Sequence, residues 1–298
     1  MIRPAEPGTK TMARVPADLG ATAVELPVTR VRGARPGPRV VITAGMHGGE
    51  FTGIEAAVRL AALLRPEDVD GEVVICPVAN PPAVYDGRLG VSPLDGVNIN
   101  RVFPGDPHGC PTERLAAWHT EHLIAGADVY VDLHSGGIDE SLRDFTAYRL
   151  TGDPHLDVRT RALARAMGIE DVILGRTTEG GNSHASAARH GIPALLVEAG
   201  QRGDRDPATV ARLVDGLLRP LGQAGATDRP AGNAPMEILE WLWATSVTAE
   251  STGLWYPAVT AGDDVMAGQP LGHLLDPADP APRSAPPRPD ASSTGCMP

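Results

Sequence analysis

The sequence predicts an α/β fold: a mostly parallel or mixed central sheet with helices on both faces, plus a small C-terminal β appendage. Three observations carry that expectation. Short apolar runs such as Val40-Val41-Ile42 and Val129-Tyr130-Val131 have the unbroken hydrophobicity of strands covered on both sides. They alternate with longer segments of helical period, the pattern of a sheet wrapped by helices. At 298 residues, with 42% hydrophobic and 21% charged residues, the chain can bury a full-sized α/β core with a smaller unit attached.

Taken in order, Val24, Leu26 and Val28 alternate with polar neighbours and predict a half-exposed strand leading in. Residues 39–44 form the next strand and 51–64 the helix after it. The run 72–78 is a strand that stops at Asn80-Pro81-Pro82. Residues 80–111 are irregular and rich in Gly, Pro, Asn and Asp; loops of that length are uncommon unless functional. A helix over 112–125 precedes a strand at 128–133. A helix over 155–167 carries Asp157, Arg161 and Arg165 on a solvated face. A helix over 183–190 passes through Gly191-Ile192-Pro193 into a strand at 194–197, and a helix over 207–221 closes the main domain, 1–234. Residues 235–276 change texture to short β-like runs with glycine turns and read as the appendage. Its turns resemble those of biotinyl and lipoyl carriers, which attach their cofactor through lysine, and this segment has none. Residues 277–298 are Pro/Ala/Ser-rich and are expected to be disordered.

Charge and composition remove several functions. The formal net charge of -11 argues against nucleic acid or an anionic membrane as partner. Lys10 is the only lysine, so a lysine-dependent phosphate loop, Schiff-base chemistry and pyridoxal phosphate attachment are excluded. Cys76, Cys110 and Cys296 are too few and too scattered for a disulfide framework or a Cys-rich zinc site. With no apolar leader and no run approaching ~20 apolar residues, a cytoplasmic location is expected.

The chemistry-bearing residues follow predicted strands. Strand 39–44 runs into His47-Gly48-Gly49-Glu50; strand 72–78 ends at Asn80; strand 128–133 ends at His134; strand 194–197 ends at Glu198-Ala199-Gly200. In a parallel sheet such ends share one edge, where open α/β folds place their sites. His47, Glu50 and His134 make a two-imidazole, one-carboxylate set that suits one Zn2+ per chain with a position left open. Glu198, approached through Leu195-Leu196-Val197, suits a general base whose pKa is raised by apolar surroundings. Gly200 is expected to let substrate approach closely. In the long loop, Asn100-Arg101 sets an amide beside a guanidinium, a pair fit to hold a carboxylate.

His47-Gly48-Gly49-Glu50, Asn98-Ile99-Asn100-Arg101-Val102-Phe103-Pro104-Gly105, Asp132-Leu133-His134 and Glu198-Ala199-Gly200 together resemble the motifs of the succinylglutamate desuccinylase/aspartoacylase family, within the zinc metallocarboxypeptidase-like superfamily. The resemblance spans about 39–205 and looks nearest to the branch that deacetylates N-acetyl diaminobutyrate. It implies a zinc-dependent deacylase of N-acyl amino acids, with His47, Glu50 and His134 on the metal, Glu198 as base, and Asn100 with Arg101 on the carboxylate of a small anionic N-acyl substrate. Family members usually carry an oxyanion-stabilising arginine shortly before the Asp-Gly of the loop. Arg88 is the nearest candidate, while Gly90 or Val91 stands at that position by eye, so the role stays open. Related appendages also continue with further strands where this chain turns Pro-rich.

Other readings stand beside these. The same set fits a zinc carboxypeptidase acting on small peptides, or a binding protein that keeps the fold without turnover. Asp132 either orients His134 or caps a neighbouring helix. His119 and His122, three apart on a helix, read as a solvated face rather than a second metal pair; His108 and His184 read as polar surface; Cys76 reads as a small buried hydrophobe. Oligomeric state stays open, a homo-oligomer among the options.

Overall fold

The computed structural model describes residues 5–86, 90–228, 237–243 and 246–284. The chain divides into two compact units, Met1–Trp243 and Ala244–Pro298.

The first unit is built on a nine-stranded sheet. Strands β1 (Thr9–Asp18) and β2 (Ala23–Arg32) form an antiparallel hairpin at one edge. Then come β4 (Asp70–Cys76), β3 (Arg35–Ala44), β5 (Val129–His134) and β8 (Ala194–Glu198), mutually parallel. Strand β6 (Phe145–Arg149) pairs antiparallel to β8, and β7 (Asp171–Gly175) and β9 (Leu239–Leu242) follow it in parallel. The four central strands therefore aim their carboxyl ends at one edge, as the sequence required.

Helices cover both faces. Alternate residues of the central strands, Val40, Ile42, Val131, Leu133, Leu195 and Val197, pack with α1 (Phe51–Leu63), α4 (Pro154–Ala166) and α6 (Pro207–Gln223). Their neighbours Val41, Tyr130 and Ala194 pack on the other face with α3 (Pro111–His119) and α5 (Ser183–Arg189). That period of two decides the site's geometry: Tyr130, Asp132 and His134 share the second face. The loop expected over 80–111 holds a short helix, α2 (Pro81–Tyr85), and a 3-10 turn at Ile99–Arg101. Among the described residues no helix is long and apolar enough to cross a membrane.

The sequence reading missed β1, β6, β7 and the role of β9. Leu239–Leu242, read as the start of the appendage, adds to the edge of the large sheet because β7 offers it an open ladder; Trp241 Nε1 donates to Asp171 Oδ1 at 2.6 Å. The second unit is a three-stranded antiparallel sheet of β10 (Leu254–Pro257), β11 (Gly272–Asp276) and β12 (Asp279–Ser284). The Pro-rich stretch begins ordered: Asp276 Oδ1 accepts from Ala278 N at 2.9 Å and turns the chain back as β12. The rest of the stretch expected to be disordered, 285–298, lies outside the described residues.

Candidate active site

The turn after β3 is fixed by the neighbouring strand end. Ala79 N donates to Ala44 O at 2.8 Å, Asn80 N to Gly45 O at 2.9 Å, and Asn80 Nδ2 to Met46 O at 3.0 Å. Gly45 takes φ +67°, which a side chain would resist. Asn80, buried at 1% exposure, thus buckles the turn that presents His47. Glu50 stands immediately before α1, at its N-cap.

The three expected ligands meet. Glu50 Oε1 lies 2.7 Å from His47 Nδ1, and Glu50 Oε2 lies 2.8 Å from His134 Nδ1. One ligand atom from each residue falls within 4.8 Å of the others, the one such group among the described residues. The far ring nitrogens settle which atoms are free. His47 Nε2 is 3.0 Å from Asn98 Oδ1, and His134 Nε2 is 3.0 Å from Asp132 Oδ2. Both oxygens only accept, so both Nε2 atoms carry hydrogen and donate. When Nδ1 is deprotonated, each ring turns a lone pair towards the Glu50 carboxylate. Three electron-rich groups converging this way call for a cation among them, and two imidazoles with one carboxylate fit a zinc-type ion.

Without an ion, a proton on His134 supplies the positive charge. Burial alone would raise Glu50, but His134 and His47 hold it down to about 2. Burial alone would lower His134, but Asp132 and Glu50 hold it well above the usual imidazole range. Asp132 is itself fully buried and gripped by Thr43 Oγ1 at 2.8 Å and by the Ser183 hydroxyl. It is thereby fixed against His134 Nε2.

Glu198 sits across from His134 in register on the adjacent strand. Its Oε2 is sealed from solvent without a hydrogen-bond partner. Burial, with Glu50 and Glu140 adding and His134 opposing, lifts its pKa to about 8. A cavity of about 670 Å³ opens beside it, lined also by His47, Glu50, Asn98, Asn100, Arg101 and His134.

Asn100 and Arg101 reach the same cavity by different means. Asn100 is buried: Oδ1 accepts from Ser183 N at 3.1 Å, and Nδ2 lies 2.9 Å from His134 Nε2. Arg101 is exposed at the mouth, its Nη1 donating to Asn100 O at 2.8 Å. Gly181 backs this turn so closely that a Cβ would stand 1.9 Å from Arg101 O. Arg88 lies outside the described residues. Gly200 serves packing rather than substrate approach: at φ +86°, a Cβ there would meet Thr52 Oγ1 at 2.4 Å.

Burial of the remaining histidines differs from expectation. His119 is fully buried, bonded through Nε2 to Ala79 O at 2.7 Å, because its helix packs that face on the core. His184, 3% exposed, lines the cavity instead of the surface. Arg149, on the unpredicted β6, lines it too. The alternation of Phe145-Thr146-Ala147-Tyr148-Arg149 was the available signal.

The chain is of the open α/β class, with a His-Glu-His group that could hold a metal ion and a half-buried carboxylate at the carboxyl edge of the sheet. Residues 36–222 match the succinylglutamate desuccinylase/aspartoacylase catalytic domain, and the chain belongs to that family. It is 36% identical over 260 residues to an N-alpha-acetyl-L-2,4-diaminobutyric acid deacetylase of Halomonas elongata, covering 85% of this chain and 75% of the relative. Among solved structures, a succinylglutamate desuccinylase/aspartoacylase from Rhodobacter sphaeroides matches with TM-score 0.82 at 30% identity, over 93% of this chain and 87% of that one. The product-bound ectoine utilization protein EutE (DoeB) of Ruegeria pomeroyi matches with TM-score 0.84 at 26% identity, over 95% and 89%.

Proposed function

We propose that this protein hydrolyses the amide bond of an N-acyl amino acid or related small carboxylate, using one Zn2+ held by His47, Glu50 and His134. The observation that carries the reading is Glu198: a half-buried carboxylate facing the ligand group, its Oε2 sealed without a partner and its pKa lifted to about 8. A carboxylate so placed has no structural partner to serve and is tuned to exchange a proton near neutrality. The family and the Halomonas elongata deacetylase relative support the same reaction class.

When bound, the ion supplies Lewis acidity, acidifying a water and polarising the acyl carbonyl. The chain does the rest. Glu198 takes the proton of the attacking water and returns it to the leaving nitrogen. Asp132 and Asn98 keep the imidazoles turned with Nδ1 inward. Asn100 is held in place by Ser183 N, and Arg101 offers a positive charge at the mouth for a carboxylate.

The test is metal analysis with a panel of N-acetyl amino acids and dipeptides. Zinc-loaded protein should cleave the former, and Glu198→Gln should keep its zinc while losing about 100-fold or more in kcat. Full turnover by Glu198→Gln sinks the mechanism. Preference for dipeptides makes the protein a carboxypeptidase, and ligand binding without any turnover makes it a binding protein.

A further inference from the structure

The floor of the cavity is a sheet face. Leu196 and Glu198 of β8, Phe145, Ala147 and Arg149 of β6, and Ile173 and Gly175 of β7 line it. Phe145 pairs with Glu198 in antiparallel register. Arg149 lies four residues further along β6, about 13 Å at the rise of a strand. The His-Glu-His group and Arg149 therefore line one chamber, which Leu196, Phe145 and Ala147 also line.

Arg149 is set up differently from the arginines that serve structure. Arg143 and Arg161 are paired to Asp171 and Glu240. Arg149 is half-buried and makes no ion pair among the described residues. Its Nε donates to His184 Nε2 and its Nη2 to Asn182 Oδ1, each at 3.3 Å, and both acceptors are neutral. Burial alone holds its pKa below the usual arginine value. Because His184 Nε2 accepts, its Nδ1 carries the proton, and that buried N–H has no partner. Burial, with Arg149 adding, drops His184 to about 3, so it stays neutral beside the guanidinium. Gly175 makes room for the stem: a Cβ there would stand 2.4 Å from Arg149 Cδ. A desolvated guanidinium without a counter-charge is costly, and an arriving anion relieves that cost.

We propose that Arg149, braced by Asn182 and His184, seats a carboxylate of the substrate in the cavity it shares with Glu198. The substrate class rests on the amide-hydrolase reading above; the anion seat itself does not. The carboxylate comes either from the amino acid or from the acyl chain. A fork of N–H donors suits it in both cases.

Zinc-loaded wild type, Arg149→Gln and Arg149→Lys are compared on two matched pairs: an N-acetyl amino acid against its α-carboxamide, and an N-glutaryl against an N-pentanoyl derivative of one amino acid. Wild type should prefer the carboxylate member of one pair, which names the source. Arg149→Gln should lose roughly 10–100-fold of that preference, mainly through KM, and Arg149→Lys should regain part of it. Preferences that survive in Arg149→Gln overturn the seat, as does an equal fall on both members of both pairs. Calorimetric titration of the same carboxylates into Glu198→Gln protein, with and without Arg149→Gln, separates the two readings. Arg149-dependent binding in the absence of any turnover by wild type overturns the hydrolase reading and keeps the seat. Binding indifferent to Arg149 overturns the seat whatever the turnover.

Discussion

At the scale of single residues, Asp132 decides which nitrogen of His134 is free. It takes the Nε2 hydrogen and leaves Nδ1 for the ion. Asp132→Asn can present an amide N–H to that nitrogen and favour the wrong tautomer. Zinc affinity should fall about 10–100-fold, read by competition with a chromophoric chelator; unchanged affinity would show that Asp132 only packs. Glu198 makes a prediction about pH. Its folded pKa of about 8 lies above the ordinary 4.5. Between those values the folded, metal-free protein holds a proton that the unfolded chain has lost. Stability therefore falls as pH rises through this window, by up to about 1.4 kcal/mol per unit for this group. Glu198→Gln removes the penalty, so its stability advantage in urea melts with chelator present should grow from pH 5 to pH 8. An advantage independent of pH would contradict the raised pKa.

At the scale of elements, the site depends on strand ends held by neighbouring loops. Asn80, at the end of β4, fastens the turn after β3 through Met46 O. Asn80→Ala leaves a buried carbonyl unsatisfied and should cost about 1–3 kcal/mol, with a lower melting temperature and weaker zinc binding together. A stability loss with zinc affinity intact would separate the buckle from the site. The ligand-bearing strands were legible because their signal is local: an apolar run, then a glycine turn or a polar residue at its end. His47, Glu50, His134 and Glu198 follow such runs, and the parallel order brought them together. Strand β6 was not legible, since only five residues alternate and one of its faces looks into a cavity that no linear pattern reports. The same reason hid Arg149 and His184. His119 looked exposed because its helix is short and polar in sequence; only the packing of α3 on Ala79 and Phe103 buries it. Asn100 was recognised as part of the site, yet its hydrogen bond from Ser183 N depends on a contact between distant segments.

At the scale of the molecule, the ligand group joins the turn after β3 to the end of β5, and both lie in the Met1–Trp243 unit with Glu198 and Arg149. An ion bound only by the folded chain stabilises it by mass action. Zinc at about 100 times its Kd should add about 2.7 kcal/mol and raise the melting temperature by roughly 5–10 °C. Glu50→Gln should abolish that increment. A zinc-independent melting temperature would place the ion elsewhere or nowhere.

The facing of His134 and Glu198 across β5 and β8 has one more consequence. The gap between ligand and base is a ladder spacing, about 4.8 Å between neighbouring strands, and backbone hydrogen bonds set it. Segments 135–144 and 176–182 can then be lengthened, shortened or exchanged to admit a different acyl group without recalibrating the reacting pair. The sheet acts as the gauge block, and the loops are interchangeable jaws.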